Sequence, residues 1–164
     1  MDNKYTPNLS EQFKDKIIIV TGSTQGSGAE TAKLLAGRGA KGIAICGRNE
    51  QKGNKIKDEI KKIGSECIYI KADLENLSDC KRIVAETDKK FKTVDSFINV
   101  AAFTERGTIL STTEENYDKN FNINVKAPLF MMQDVIKIMI RDKKKGTIAH
   151  VLSMAAYSGM PFLT

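Results

Sequence analysis

Five short apolar runs punctuate the chain, at residues 16–21 (KIIIVT), 42–46 (GIAIC), 67–72 (CIYIKA), 94–99 (VDSFIN) and 147–152 (TIAHVL). The first is continuously apolar and β-branched, which suits a parallel strand covered on both faces. Longer stretches with helical spacing separate the runs. Between the second and third, Ile56, Ile60 and Ile63 form a stripe, and Gly64 stands where a helix would stop. Between the third and fourth, Leu77, Cys80, Val84 and Phe91 recur in the same way, with Asn76 or Ser78 as N-cap. A longer helix, over about 114–141, precedes the fifth run. Its inward stripe is expected to be Tyr117, Phe121, Val125, Met132, Ile136 and Met139, with Met131, Ile138 and Ile140 exposed on other faces. Strand–helix alternation of this kind predicts an α/β fold, a doubly wound parallel sheet joined by right-handed crossovers.

Composition narrows the class further. A chain of 164 residues, 41% hydrophobic and 28% charged, fits one globular domain with one core. No apolar run is long enough to cross a bilayer. Residues 1–12 read as a polar N-terminal extension, and residues 1–10 (MDNKYTPNLS) lack the apolar centre of a secretory signal. A cytoplasmic protein without a membrane partner is therefore expected. Lys and Arg outnumber Asp and Glu by 26 to 20, a net charge of +6 that would suit an anionic partner. The basic residues are interleaved with acids and isoleucines, as in KIKDEIKK at 55–62, the composition of a solvated helix face. No nucleic-acid partner is expected. Cys46, Cys67 and Cys80 are odd in number and lack metal-ligand spacing, so they read as buried free thiols. His150, the only histidine, reads as a strand residue, and no metal site is expected.

The candidate chemistry begins where the first run ends. Thr21-Gly22-Ser23-Thr24-Gln25-Gly26-Ser27-Gly28 links a strand directly to a helix. Gly22 permits a tight turn, Gly26 lets backbone approach a phosphate, and Gly28 allows close helix–strand packing. The free N–H groups at the helix start then face a diphosphate. Strand, glycine turn and helix in this order point to dinucleotide binding.

This Thr-Gly-xxx-Gly-x-Gly pattern, spaced more widely than the usual dinucleotide fingerprint, resembles the short-chain dehydrogenase/reductase family, and the likeness runs from about residue 13 to residue 164. The resemblance implies a Rossmann fold, here incomplete, with five strands in the order 3-2-1-4-5. It implies an NAD(P)-dependent oxidoreductase acting on a small-molecule alcohol or ketone, a 3-oxoacyl reductase among the candidates. Cofactor contacts carry over to Gly22, Ser23, Thr24, Gln25, Gly26, Ser27 and Gly28, although Ser27 departs from the family's aliphatic residue. Asp73, with Leu74 beside it, matches the position that reaches the adenine ring. Asn99-Val100-Ala101-Ala102 stands where the family shows Asn-Asn-Ala-Gly, which places Asn99 and Ala101 along the cofactor and puts a methyl, that of Ala102, close to the ribose path.

Charge decides between the two coenzymes. About 20 residues after the glycine turn, NAD-binding folds place an acid on the ribose 2′-hydroxyl. Here the second run ends Cys46-Gly47-Arg48-Asn49, without a carboxylate. Arg48 would pair with a 2′-phosphate that an acid would repel. NADP(H) is therefore preferred, NAD(H) remaining the alternative; Arg48 and Asn49 would otherwise simply begin the next helix.

In the long helix Asn124-Val125 resembles the family's catalytic Asn-Val pair, and Pro128 removes the helical partner of the Asn124 carbonyl. By resemblance that carbonyl holds a water of the proton relay. Ser153, in the place of the family's serine, would hydrogen-bond the substrate oxygen; taken alone, it is a turn former. The family's Tyr-xxx-Lys is expected about thirteen residues beyond that serine. Tyr157 lies only four beyond it, and Pro161 stands where the lysine would fall, so Tyr157 is not that tyrosine. Two readings follow. The sequence is part of a longer oxidoreductase, the preferred reading, or a short nucleotide-binding module without catalysis. In either case residues 1–164 alone are expected to lack turnover. The resemblance also implies that the long helix packs against its counterpart in a homo-oligomer of the full-length protein.

Overall fold

A computed structural model describes residues 9–157; residues 1–8 of the polar extension, and Pro161, lie outside them. The five apolar runs become β1 (Ile17–Val20), β2 (Gly42–Gly47), β3 (Glu66–Lys71), β4 (Ser96–Asn99) and β5 (Thr147–His150). All pair in parallel, in the order β3-β2-β1-β4-β5 expected from the sequence. The intervening helices are α1 (Gly26–Gly37), α2 (Glu50–Ile63), α3 (Leu77–Phe91), α4 (Glu114–Phe121) and α5 (Ala127–Arg141).

The period of two along β1 divides the core. Ile18 and Val20 pack with Ala32 and Leu35 of α1 and Ile56 and Ile60 of α2. Ile19 points the other way, into a cluster with Ile83 and Val84 of α3 and Met131 and Val135 of α5. Each face of the sheet is thus covered by a helix layer, which explains why β1 is apolar at every position. The sheet's lower end is fastened by a charge. Asp95, 5% exposed, accepts the Ile17 N–H through Oδ2 at 2.9 Å, and Lys144 Nζ lies 3.5 Å from its Oδ1. A buried carboxylate is tolerated only with such partners.

Local signals account for both ends of α2. Asn49 caps α2, its side chain accepting the Lys52 N–H, and Gly64 ends that helix at φ 122°. Asn76 is the N-cap of α3, although its side chain makes no capping bond. Ile63, placed on the buried stripe by spacing, is exposed at the helix end.

The long helix departs more from expectation. It is interrupted by a π-turn, Asn122–Lys126, in which the Ala127 N–H reaches the Asn122 carbonyl just before Pro128. The extra residue turns everything upstream by about 100° relative to an unbroken helix. The buried face is therefore Ile123, Ala127, Met131, Val135, Ile138 and Met139. Met131, expected outside, is 1% exposed, and Ile138 is buried as well. Tyr117, Phe121, Val125 and Ile136, expected inside, are exposed, Tyr117 at 54%. Ile140 is exposed as expected.

His150 ends β5, edge-on to the Phe97 ring at 5.9 Å between centroids. Among the described residues, no helix is long and apolar enough to cross a membrane, and no group of His, Cys, Asp or Glu is placed to hold a metal ion. All three cysteines are free and buried, as the sequence suggested. Burial pushes the Cys46 and Cys67 thiols up to about 12 and Cys80 to about 11. At about pH 8 a thiol-specific disulfide reagent should therefore leave the three untouched in the native protein and label all of them in denaturant. Because the unfolded chain gives up these protons first, stability should fall as pH rises above about 9. Rapid native labelling would contradict this packing.

Candidate functional site

In the order β3-β2-β1-β4-β5 the chain crosses from one side of the sheet to the other between β1 and β4, and a crevice opens above their carboxyl ends. A cleft of about 310 Å³ lies there. The turn after β1 forms its floor. Gly22 (φ 62°) and Gly26 (φ 57°) adopt the left-handed conformation that favours glycine. A Cβ on Gly22 would lie 2.8 Å from Ala101 Cα, and a Cβ on Gly28 would collide with the Gly22 carbonyl oxygen. Gly26 has nothing within 4 Å of that position, so its backbone faces open space.

α1 then starts without a cap. Its N-cap, Gln25, makes no side-chain capping bond, whereas Asn49 caps α2 and Thr113 caps α4. The first turn of α1 holds no acidic residue. Uncapped N–H groups and the positive end of the helix dipole form an anion site, and this one opens on the cleft.

One hydroxyl joins the walls. Thr21, fully buried, donates to Asn99 Oδ1 at 2.7 Å and accepts the N–H groups of Val100 and Ala101, each at 3.2 Å. Asn99 Nδ2 reaches the Ala101 carbonyl at 3.4 Å. The loop after β4 is held again from the long helix. Asn124 accepts the Phe103 N–H at 2.8 Å and donates to the Phe103 carbonyl at 2.7 Å. On the β2 side, the Tyr69 hydroxyl donates to the Gly47 carbonyl at 2.7 Å. Its ring occupies the space a side chain on Gly53 would need, which explains a glycine inside α2.

Of the residues singled out in the sequence, Gly22, Thr24, Gln25, Gly26, Ser27, Gly28, Arg48, Asp73, Leu74 and Ala101 line the cleft. Ser23, Asn49 and Asn99 do not. The Ser23 hydroxyl donates to the Val20 carbonyl at 2.6 Å and accepts the Cys46 N–H at 3.1 Å, tying β1 to β2. Asn49 is spent on its cap and Asn99 on Thr21. Phe103 and Ile123 line the cleft without having been foreseen. Ile123 sits in the π-turn that Pro128 signals, whereas Phe103 lies in a loop without periodicity. Asp73 Oδ1 accepts the Glu75 N–H at 3.2 Å, and the Asp73 N–H donates to Asp79 Oδ2 at 2.8 Å. That bond, with Arg82 beside it, holds the Asp79 carboxyl below the usual carboxylate range. Ser153 lies beyond β5, exposed and outside the cleft lining; its Oγ accepts the Ala155 N–H at 3.2 Å and keeps its own proton.

Comparison with known proteins agrees with this geometry. Residues 16–164 match the short chain dehydrogenase family, and the chain belongs to it. An uncharacterized oxidoreductase of Thermotoga maritima is 34% identical over 149 residues, covering 91% of this chain and 58% of the relative. Galactitol 2-dehydrogenase of Agrobacterium fabrum is 29% identical over 153 residues, covering 93% and 58%. The chain thus spans somewhat over half the length of these relatives. A crystal structure of the NADH-dependent reductase A1-R′ complexed with NAD superposes with a TM-score of 0.84 at 22% identity, over 94% of this chain and 66% of that one, and shares the fold.

The two left-handed glycines should separate in their effects. Gly22→Ala meets both backbone strain and the Ala101 backbone, and should lower stability by roughly 2 kcal/mol or more. Gly26→Ala carries only the conformational penalty, about 1 kcal/mol. Denaturant midpoints of the two variants test this; equal losses would contradict the close approach of the two loops.

Proposed function

We propose that the protein is an NADP(H)-dependent oxidoreductase that interconverts a secondary alcohol and a ketone, with residues 1–164 forming its dinucleotide-binding domain. The observation that carries this reading is the uncapped start of α1 beneath a switch-point cleft whose β2 edge ends in Arg48 and not in a carboxylate. The cleft fits the coenzyme: Gly26 is open where a phosphate would lie, and Gly22 and Gly28 are packed too closely for any side chain. The N–H groups of Gly26, Ser27 and Gly28 would hold the diphosphate, with the Ser27 hydroxyl as a further donor. Asp73 and Leu74 would flank the adenine, and Arg48 the 2′-phosphate. When bound, the coenzyme supplies or accepts the hydride.

The chain's own part is positioning and proton traffic. Asn124 holds the Phe103 wall in place, and the π-turn around it would offer the water position that the family resemblance implies. The Ser153 hydroxyl, which spends only a lone pair on Ala155, is free to donate to the substrate oxygen. A galactitol dehydrogenase among the relatives supports an alcohol substrate. The exposed apolar face of α4 and α5, with Tyr117 stacked on Phe121 at 4.4 Å and Leu129, Ile136 and Ile140 beyond, supports self-association through the long helix.

Titration of the intrinsic fluorescence of NADPH and NADH tests the coenzyme reading. NADPH should bind at least about tenfold more tightly, and Arg48→Ala should sharply reduce the difference. Arg48 is the better target, because Gly47→Asp would also drive a Cβ to 2.7 Å from Thr24 Cγ2. Equal affinity of the unaltered protein for both coenzymes would overturn the NADP(H) assignment.

A further inference from the structure

Among the described residues, six lysines, Lys14, Lys33, Lys71, Lys90, Lys137 and Lys144, lie within ion-pair distance of carboxylates. Lys52 does not. Its Nζ donates to Gln25 Oε1 at 2.7 Å, a neutral amide, so its charge is not cancelled by its partner. The contact spans 27 positions in sequence and joins the first turn of α2 to the N-cap of α1. Lys52 is also fixed at its backbone, whose N–H is the one that Asn49 caps. An ammonium carries three donors, and Gln25 takes one.

Gln25 and Arg48 both line the cleft, Gln25 from the glycine turn and Arg48 from the end of β2. Arg48 forms no ion pair among the described residues. In this fold class the diphosphate lies on the α1 side of the cleft and the adenosine ribose toward the end of β2. Lys52 reaches from α2, the helix that follows β2, across to Gln25, so its charge lies between the glycine turn and the end of β2. The Tyr69 bond to the Gly47 carbonyl fixes the same turn from beneath.

We infer that Lys52, held by Gln25, is a second cation for the coenzyme's 2′-phosphate and, with Arg48, determines the choice of NADP(H) over NAD(H). This rests on the NADP(H) reading above and deepens it. Motif matching passes over Lys52, because it belongs to neither the glycine turn nor the end of β2. The Gln25 tether keeps the ammonium oriented before ligand arrives, which lowers the ordering cost of a flexible side chain. Two cations on one dianion also make the preference strongly salt-dependent.

Calorimetric titration of the protein with adenosine 2′,5′-bisphosphate and with 5′-AMP tests the inference without any need for turnover. The ratio of the two affinities isolates the 2′-phosphate contribution. The unaltered protein should prefer the bisphosphate, Lys52→Gln should reduce that preference about tenfold, and Lys52→Arg should retain most of it. Added salt should shrink the preference of the unaltered protein more steeply than that of Lys52→Gln. If Lys52→Gln keeps the full preference while Arg48→Ala loses it, the role of Lys52 is refuted and the NADP(H) reading stands. If the unaltered protein does not distinguish the two ligands, the NADP(H) reading itself is refuted, and the role of Lys52 with it.

Discussion

The architecture turns on one buried hydroxyl. Thr21 is the first residue after β1, and its Oγ donates to the last residue of β4 while accepting the next two backbone N–H groups. Parallel strands that diverge at a switch point would otherwise leave those groups, half-buried at Val100 and Ala101, without a protein partner. With all three satisfied by one side chain, the turn after β1 and the loop after β4 become one rigid unit. Their backbones approach so closely at Gly22 and Ala101 that no side chain fits between them. The cleft is what remains above that seam.

The same economy extends to the other walls. Asn124 pairs both its amide groups with Phe103, so a helix on the far face of the sheet sets the position of the β4 loop. That helix changes its hydrogen-bond register at the π-turn, where Pro128 withholds an N–H. Tyr69 plays the matching part under β2, at the expense of a glycine in the first turn of α2. An inner ring of hydrogen bonds thus fixes the backbone, and Thr24, Gln25, Ser27, Arg48 and Asp73 line the ligand space above it.

The sequence was most legible where backbone geometry leaves few choices. A continuously apolar β-branched run followed by three closely spaced glycines allows little except a buried parallel strand, a tight bend and a helix start. The strand order and most cleft residues came with the family resemblance that this turn carries. Side-chain commitments were less legible. Ser23, Asn49 and Asn99 carry the polarity of ligand contacts, yet each is taken by a nearby backbone or side-chain group. The buried face of the long helix was misassigned for a different reason. Apolar residues occur on two of its faces, and an unseen π-turn shifts the period between its halves. Pro128 was the available signal for that turn, whereas the packing of Tyr69 over Gly53 shows only in the structure.

If the uncapped start of α1 is the seat of a diphosphate, the amides there must report it directly. Amide chemical shifts followed during titration with ADP provide that report. Saturable shifts concentrated at Gly26, Ser27 and Gly28, with smaller ones at Ala101, are the expected result. Shifts centred on any other part of the molecule, or none at saturating ADP, would contradict the account.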